Sequence, residues 1–329
     1  MTTKKIKLLF NRQENAETTC PGSTLTELIQ QYFDLEEYDP TKSYNRAECV
    51  LMVRLVNKDL WWQPLQQQGF KMIIDNSHEV PEAVTQFWVP VTDPRYLEHK
   101  PVPESAFVLN VPDYCWYLES ARRWKSGHHL YSPRPQYKYK ALLPMNREKP
   151  HRTELLTQLN SQLDQCLWSY VQQGHLMPND VIGPPEIWER YINTDWYDQC
   201  CFSIVAESMA EPFVADRVPL ISEKTWKAVS MQHPFMVVGE LGTLEHMHRL
   251  GFETFENIWD ESYDQMQDIK QRVAQVVANV VQYTKEPLDQ ITLQKIQHNH
   301  ARFYDQTAIT QAVVKHIINP IYEYVSTQT

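Results

Sequence analysis

Apolar residues in this chain come in short runs of strand length, separated by polar stretches. Residues 6–10, 50–56, 71–75, 87–91 and 106–110 each form such a run and predict buried strands. Between them, residues 23–33 place Leu25, Leu28 and Ile29 on one helical face, with Ser23 or Thr24 as a cap. Residues 59–68 form a second, tryptophan-rich helical segment that ends at Gly69. Strands that alternate with helices in this way predict an α/β layering with a mostly parallel sheet.

A proline- and aromatic-rich stretch, Tyr131-Ser-Pro-Arg-Pro-Gln-Tyr137, interrupts the pattern and reads as a linker. A second α/β series follows it, with strands expected over 139–145, 167–170, 201–207 and 234–239. Helices are expected over 151–166, 222–232, 241–250 and 262–283, an irregular region over 171–199, and a mostly helical end over 288–325 apart from Asn319-Pro320. The two series predict two Rossmann-like α/β domains facing a cleft, residues 1–134 and 135–329, with helices closing the chain. The last helix, after Pro320, is expected to pack back toward the first domain. Open parallel sheets bind ligands outside the carboxyl ends of their strands, so the cleft is the expected site.

Composition narrows the chemistry. The 329 residues suffice for two domains of roughly 100–200 residues each. No apolar run approaches the roughly 20 residues that cross a bilayer, and the N-terminus carries no apolar signal core. The expectation is a cytoplasmic protein with no membrane span. Six cysteines show no CxxC spacing, which argues against a disulfide framework or a zinc knuckle. The net charge of −10 argues against strong nonspecific attraction to nucleic acid or anionic lipid. Residues 121–152 are the cationic exception, holding Arg122, Arg123, Lys125, Lys138, Lys140, Arg147, Lys149 and Arg152. An anionic ligand is expected there, and a solvated basic face is the plainer alternative. None of the eight glycines forms GxGxxG or GxxxxGK[ST], which disfavours a classical dehydrogenase or a P-loop NTPase. Phosphates would have to be met by lysine and arginine side chains.

Two stretches carry the candidate chemistry. In the first, a buried strand ends in Glu207 and would deliver a carboxylate to the cleft edge. Downstream, Ser222 reads as a helix cap that puts Glu223, Lys224 and Thr225 in the first turn, with Lys227 just beyond. There Glu223 can accept bonds from vicinal hydroxyls such as those of a ribose, and Lys224 can stand beside a diphosphate. In the second, a strand runs into the loop bearing Arg147, and Arg152 begins the next helix. Two guanidiniums near a strand end suit a diphosphate, although pairing with surface carboxylates is the plainer alternative.

These stretches together resemble the nucleotide-binding half of the fucosyltransferase-like glycosyltransferases (carbohydrate-enzyme family ten) and their phage and bacterial relatives. Ser222-Glu223-Lys224 resembles that family's [ST]-E-K signature, and His233-Pro-Phe-Met-Val-Val-Gly239 its following strand. Leu250-Gly-Phe-Glu-Thr-Phe255 and Trp259-Asp-Glu-Ser-Tyr-Asp264 also resemble the relatives, as does the turn from Asn146-Arg147 to Arg152. The resemblance covers roughly residues 135–285. It implies a GT-B architecture and sugar transfer from a nucleoside diphosphate sugar, usually with inversion. Glu223 would bind the ribose, while Lys224 and Arg147 would neutralise the diphosphate. The family often has Glu-Asn at the strand end where this chain has Glu207-Ser208, so the resemblance does not name the donor sugar.

The rest of the expected mechanism follows from chemistry. The chain has no Asp-x-Asp to tie a divalent cation to a diphosphate, so lysine and arginine are expected to stabilise the leaving group without a metal or cofactor. The histidines at 128, 129, 246, 248, 298 and 300 lack carboxylate or cysteine partners at ligand spacing. An inverting transfer needs a carboxylate base for the acceptor hydroxyl. Glu79 is favoured, with Asp75 beside it, and Glu119 is a further candidate. Trp61, Trp62, Trp88, Trp116 and Trp124 could stack on a sugar acceptor, a glycan or small molecule, with core packing as the plainer role. Two alternatives stay open: a sugar-nucleotide-binding protein that has lost turnover, and a phage-type transferase acting on modified DNA bases.

Overall fold

The short apolar runs become parallel strands in the computed structural model. It describes residues 6–10, 29–46, 48–53, 63–68, 70–75, 86–87, 100–101, 107–109, 114–178, 191–210, 219–284 and 288–326. The chain divides into two units, Met1–Lys125 with Gln306–Thr329, and Ser126–Asp305.

In the first unit the strands are β1 (Lys7–Phe10), β2 (Asp34–Glu37), β3 (Cys49–Val53), β4 (Lys71–Asp75), β5 (Gln86–Phe87), β6 (Lys100–Pro101) and β7 (Phe107–Leu109). Among the described residues, five of them form one sheet in the order β2-β1-β3-β4-β7, every neighbouring pair parallel. The short β5 and β6 pair antiparallel on their own. Leu8 and Leu9 are consecutive and both fully buried, as expected for a parallel sheet covered on two faces. β2 was absent from the expected pattern because Asp34-Leu-Glu-Glu is acidic and poor in strand formers. It sits at the sheet edge, where Glu36 pairs with Lys7 and, at 3.1 Å, with Lys42.

Helices α1 (Gln63–Gln67) and α2 (Tyr114–Lys125) belong to this unit, as do α9 (Gln306–Val313) and α10 (Asn319–Ser326) at the end of the chain. Lys71 donates to the Val325 carbonyl at 2.8 Å, Tyr322 donates to the Tyr32 carbonyl at 3.0 Å, and the Phe33 and Tyr322 rings lie 4.8 Å apart. A π turn over Val314–Ile318 leads into Asn319-Pro320, so the proline, which has no N–H, falls in the first turn of α10. Glu119 is excluded as a free base. It is buried in α2 and bonded to Arg122 at 2.7 Å and to Arg123 at 2.6 Å.

The division falls at Lys125–Ser126 instead of residue 134, and residues 306–326 leave the second unit for the first. The proline-rich stretch explains the first shift, because it is bonded into the second unit. Tyr131 and the Arg134 N–H both donate to Asp198 Oδ1, the Gln136 N–H donates to the Asp198 carbonyl, and Gln232 donates to the Tyr131 carbonyl.

The second unit contains β8 (Tyr139–Met145), β9 (Cys166–Tyr170), β10 (Cys200–Ala206) and β11 (Phe235–Val238). Its helices are α3 (Pro150–Leu159), α4 (Thr194–Gln199), α5 (Glu223–Ser230), α6 (Thr243–Arg249), α7 (Ile269–Gln282) and α8 (Gln290–Phe303). The strands form an all-parallel sheet in the order β11-β10-β8-β9, with β10 buried along its whole length. The chain moves outward from β8 to β9, then returns to place β10 on the other side of β8. This reversal makes a topological switch point between β8 and β10, the position where open α/β sheets bind ligands.

Polar side chains on α8 hold the segment 250–257 mainly through its backbone. Arg302 donates to the Leu250 carbonyl and His298 to that of Gly251. Asn299 bonds both the N–H and the carbonyl of Glu253, and Lys295 donates to the Thr254 carbonyl.

Candidate functional site

The register pairs of β8 with β10 run from Tyr139–Cys200 to Leu142–Ser203 and stop there, while β8 continues along β9 to Met145. Pro144, with no N–H to offer, lies in the part of β8 that has left β10. Carbonyls at the carboxyl ends of the two strands therefore need other donors. Arg152, 3% exposed, supplies them. It donates to the Arg147 carbonyl at 2.8 Å, to Ala206 at 3.1 Å and to Glu207 at 2.9 Å. His151 Nε2 also donates to the Glu207 carbonyl, at 2.9 Å. Both terminal nitrogens of Arg152 thus serve carbonyls that flank the switch point, which leaves only its buried Nε, without a hydrogen-bond partner among the described residues, for the diphosphate role expected of it.

Glu207 departs from expectation for a similar reason. Its carboxylate is fully buried, and both oxygens are filled. Oε1 accepts from the Ser222 N–H at 3.1 Å and the Thr225 hydroxyl at 2.6 Å, and Oε2 accepts from the Ser208 N–H at 3.1 Å and the Ser222 hydroxyl. It anchors the start of α5 to the end of β10. Gly239, after β11, leaves the room this needs, since a Cβ there would lie 2.9 Å from Thr243 Oγ1 and 3.4 Å from Glu207 Cγ. Glu207→Gln would turn an amide N–H₂ toward donors, at a cost of about 2–4 kcal/mol. We expect a lowered denaturation midpoint, and an unchanged midpoint with lost ligand binding would return Glu207 to the ligand set.

The anchored turn presents two charges. Ser222 caps α5, its hydroxyl accepting from the Lys224 N–H at 3.4 Å, as the cap pattern predicts. Glu223 and Lys224 stand in and beside the first turn with side chains 22% and 25% exposed. Lys224 Nζ lies 2.5 Å from Glu223 Oε1, 3.0 Å from Ser208 Oγ and 3.3 Å from Ser222 Oγ. Burial alone would push the Glu223 carboxyl up, but Lys224 and Lys227 outweigh it and hold the group at about 2. Burial likewise works to lower the Lys224 ammonium, while Glu223 and Glu207 keep it above its ordinary value. Lys227, half-buried one turn along, adds its charge to that of Lys224 in this effect on Glu223.

Arg147 is exposed, and its guanidinium has no hydrogen bond or ion pair among the described residues. Its backbone, in contrast, is pinned on every side. Arg152 holds the Arg147 carbonyl, the Gln172 N–H donates to the Asn146 carbonyl at 3.0 Å, and Gln172 Oε1 accepts the Glu148 N–H at 2.7 Å. Arg147 thus lies on the loop that leaves β8 and Ser208 on the one that leaves β10, while Ser222 caps α5 and Glu223 and Lys224 stand in its first turn. Sequence reading missed Gln172, whose bond to Glu148 spans 24 positions, and named Ser208 without giving it a role. Asp75 is the last residue of β4, paired with Leu109, and Glu79 lies outside the described residues. Among the described residues no helix is long and apolar enough to cross a membrane, and no group of three or more His, Cys, Asp or Glu side chains is placed to hold a metal ion.

No protein-family profile matches the chain, and no curated protein sequence matches it. Solved structures do. An α1,3-fucosyltransferase with GDP-fucose superposes with a TM-score of 0.52 at 10% identity, covering 100% of this chain and 94% of that one. A UDP-N-acetylglucosamine 2-epimerase from Rickettsia bellii covers 98% of this chain and 97% of its own at 12% identity, but its TM-score of 0.37 is too low to carry weight. The mixed α/β fold of this chain, with its parallel sheets and flanking helices, is GT-B-like.

Proposed function

We propose that the protein is a metal-independent glycosyltransferase that moves a sugar from a nucleoside diphosphate sugar to an acceptor hydroxyl with inversion. One observation supports this reading: a hydrogen-bonded loop after β8 bears Arg147 and the start of α5, anchored to the end of β10, bears Lys224, on the two strands that flank the switch point. Two cations there suit a diphosphate leaving group, whose charge grows as the sugar departs. Glu223, kept ionised, can accept both hydroxyls of a ribose. Glu79, with Asp75 near it in sequence, is the carboxylate we assign to the acceptor's proton.

The reading is tested first by binding. A nucleoside diphosphate at a hundred times its Kd should stabilise the protein by about 2.7 kcal/mol, seen as a raised melting temperature. Absence of a shift with every nucleoside diphosphate and its sugars would sink it. Release of free sugar from the donor in the presence of water then separates a working transferase from a protein that only binds. Turnover should survive excess EDTA, and loss on chelation that manganese or magnesium restores would remove the metal-free mechanism.

A further inference from the structure

Glu223 and Lys224 occupy one another. Side chains at successive helix positions normally diverge, yet here Nζ and Oε1 are 2.5 Å apart at the mouth of α5. An anion brought to Lys224 therefore meets a carboxylate already in place. It must either displace that carboxylate or share the ammonium with it, and in both cases negative charge is left near Glu223. The anion is welcome only if Glu223 gains something in exchange. A carboxylate freed from an ammonium is a strong acceptor for two adjacent hydroxyls. A ribose carries such a pair, tethered a few bonds from its phosphates, whereas inorganic pyrophosphate carries none.

Resting on the reading above, we propose that the Glu223–Lys224 pair is an exchange latch that selects nucleoside diphosphates against bare pyrophosphate. The diphosphate takes Lys224, the ribose hydroxyls take Glu223, and neither half of the ligand opens the pair well alone. Ser208 and Ser222 fit this role. Their hydroxyls, 3.0 and 3.3 Å from Nζ, keep the ammonium in place while its carboxylate partner changes. Arg147 has no such internal competitor among the described residues, so the discrimination resides at Lys224.

The test is binding of inorganic pyrophosphate and of nucleoside diphosphates to the wild type and to Glu223→Gln, measured by calorimetry on protein whose melting curve confirms folding. Glu223→Gln removes the competing charge and keeps the shape. Pyrophosphate should bind about tenfold more tightly to the variant, the effect of deleting one like charge at a partly buried site. The nucleoside diphosphate should bind no better, so the preference between the two ligands narrows by at least that factor. Adding Lys224→Gln should abolish the gain for pyrophosphate, which shows that the gain runs through the ammonium. Pyrophosphate affinity that stays unchanged or falls in Glu223→Gln, while nucleoside diphosphates still bind the wild type, overturns the latch and leaves the transferase reading intact. Failure of both ligands to bind the wild type overturns both.

Discussion

Lys224→Ala and Arg147→Ala should each lower turnover by about 30- to 1,000-fold, the effect of losing roughly 2–4 kcal/mol of charge stabilisation in the transition state. Sugar-nucleotide binding should weaken less, because the diphosphate gains its full negative charge only as the glycosidic bond breaks. The two sites differ in a way that sharpens the comparison. Arg147 has no described partner for its guanidinium, so its removal leaves nothing unsatisfied behind. Removing Lys224 leaves Glu223, Ser208 and Ser222 without a shared donor, but Glu223 and Ser208 are partly open to water and the buried Ser222 hydroxyl keeps its bond to Glu207. Both variants should therefore fold. The double variant should lose less than the product of the single effects, since two cations on one diphosphate share its charge. Strict additivity would place them at separate sites, and wild-type turnover in either variant would remove that residue from the mechanism.

The second large effect is on stability as a function of pH. His233 is buried with Nε2 donating to the Cys200 carbonyl at 2.8 Å and Nδ1 accepting from the Ser203 hydroxyl at 2.7 Å, so its bonds require the neutral ring. His151 lies buried beside Arg152 and donates to Glu207. Burial lowers both rings to about 4, with the Arg152 charge adding to the effect on His151. The unfolded chain, with ordinary histidines near 6.5, then takes up protons first as the pH falls. Stability is full above about pH 6.5, declines toward pH 4 and loses nothing more from these rings below that. The loss is on the order of 3 kcal/mol for each ring, a large share of the 5–15 kcal/mol typical of a folded domain. Glu261 and Asp264, whose carboxyls burial pushes up, titrate with the opposite sign and offset part of it. Urea midpoints at pH 7, 6, 5 and 4.5 should fall steadily, and His233→Gln should flatten part of the slope. Equal midpoints across that range would contradict the neutral-ring assignment.

The strands were legible where apolar runs were nearly continuous, as in β8, β10 and β11, because burial on both faces leaves few polar positions, here Lys140 and Ser203. Among the elements that were not are β2 and α2, together with β6 and with α4, which lies within the expected irregular stretch 171–199. β2 is held by its register with β1 and by ion pairs, neither of which leaves an apolar mark. α2 was missed because residues 115–121 are buried on nearly every side, so no polar stripe reveals its period. At the site, Ser222-Glu223-Lys224 could be read as a capped helix start because a cap is a local device. Arg152 and Glu207 carry structural bonds that went unread, because charge is visible in a sequence while the groups it must satisfy are not. One answers carbonyls from two strand ends, the other answers hydroxyls and N–H groups from the turn ahead of α5 and its first residues.

The grip of α8 on residues 250–257 has a consequence for how this protein tolerates sequence drift. Arg302, His298, Asn299 and Lys295 bond to carbonyls and an N–H, groups that almost every amino acid possesses. The positions of the held segment that reach solvent, such as Glu253 and Glu256, can thus change without loosening these main-chain bonds, whereas Phe252, Thr254 and Phe255 are fixed by burial and the helix that holds the segment has little freedom. Arg152 at the strand ends follows the same rule, as does Arg272, which donates to the carbonyls of Ala210, Gly239 and Met266. A scaffold tied together at its main chain records its constraints in a few scattered donors. Two such chains can keep one architecture after most of their letters have diverged.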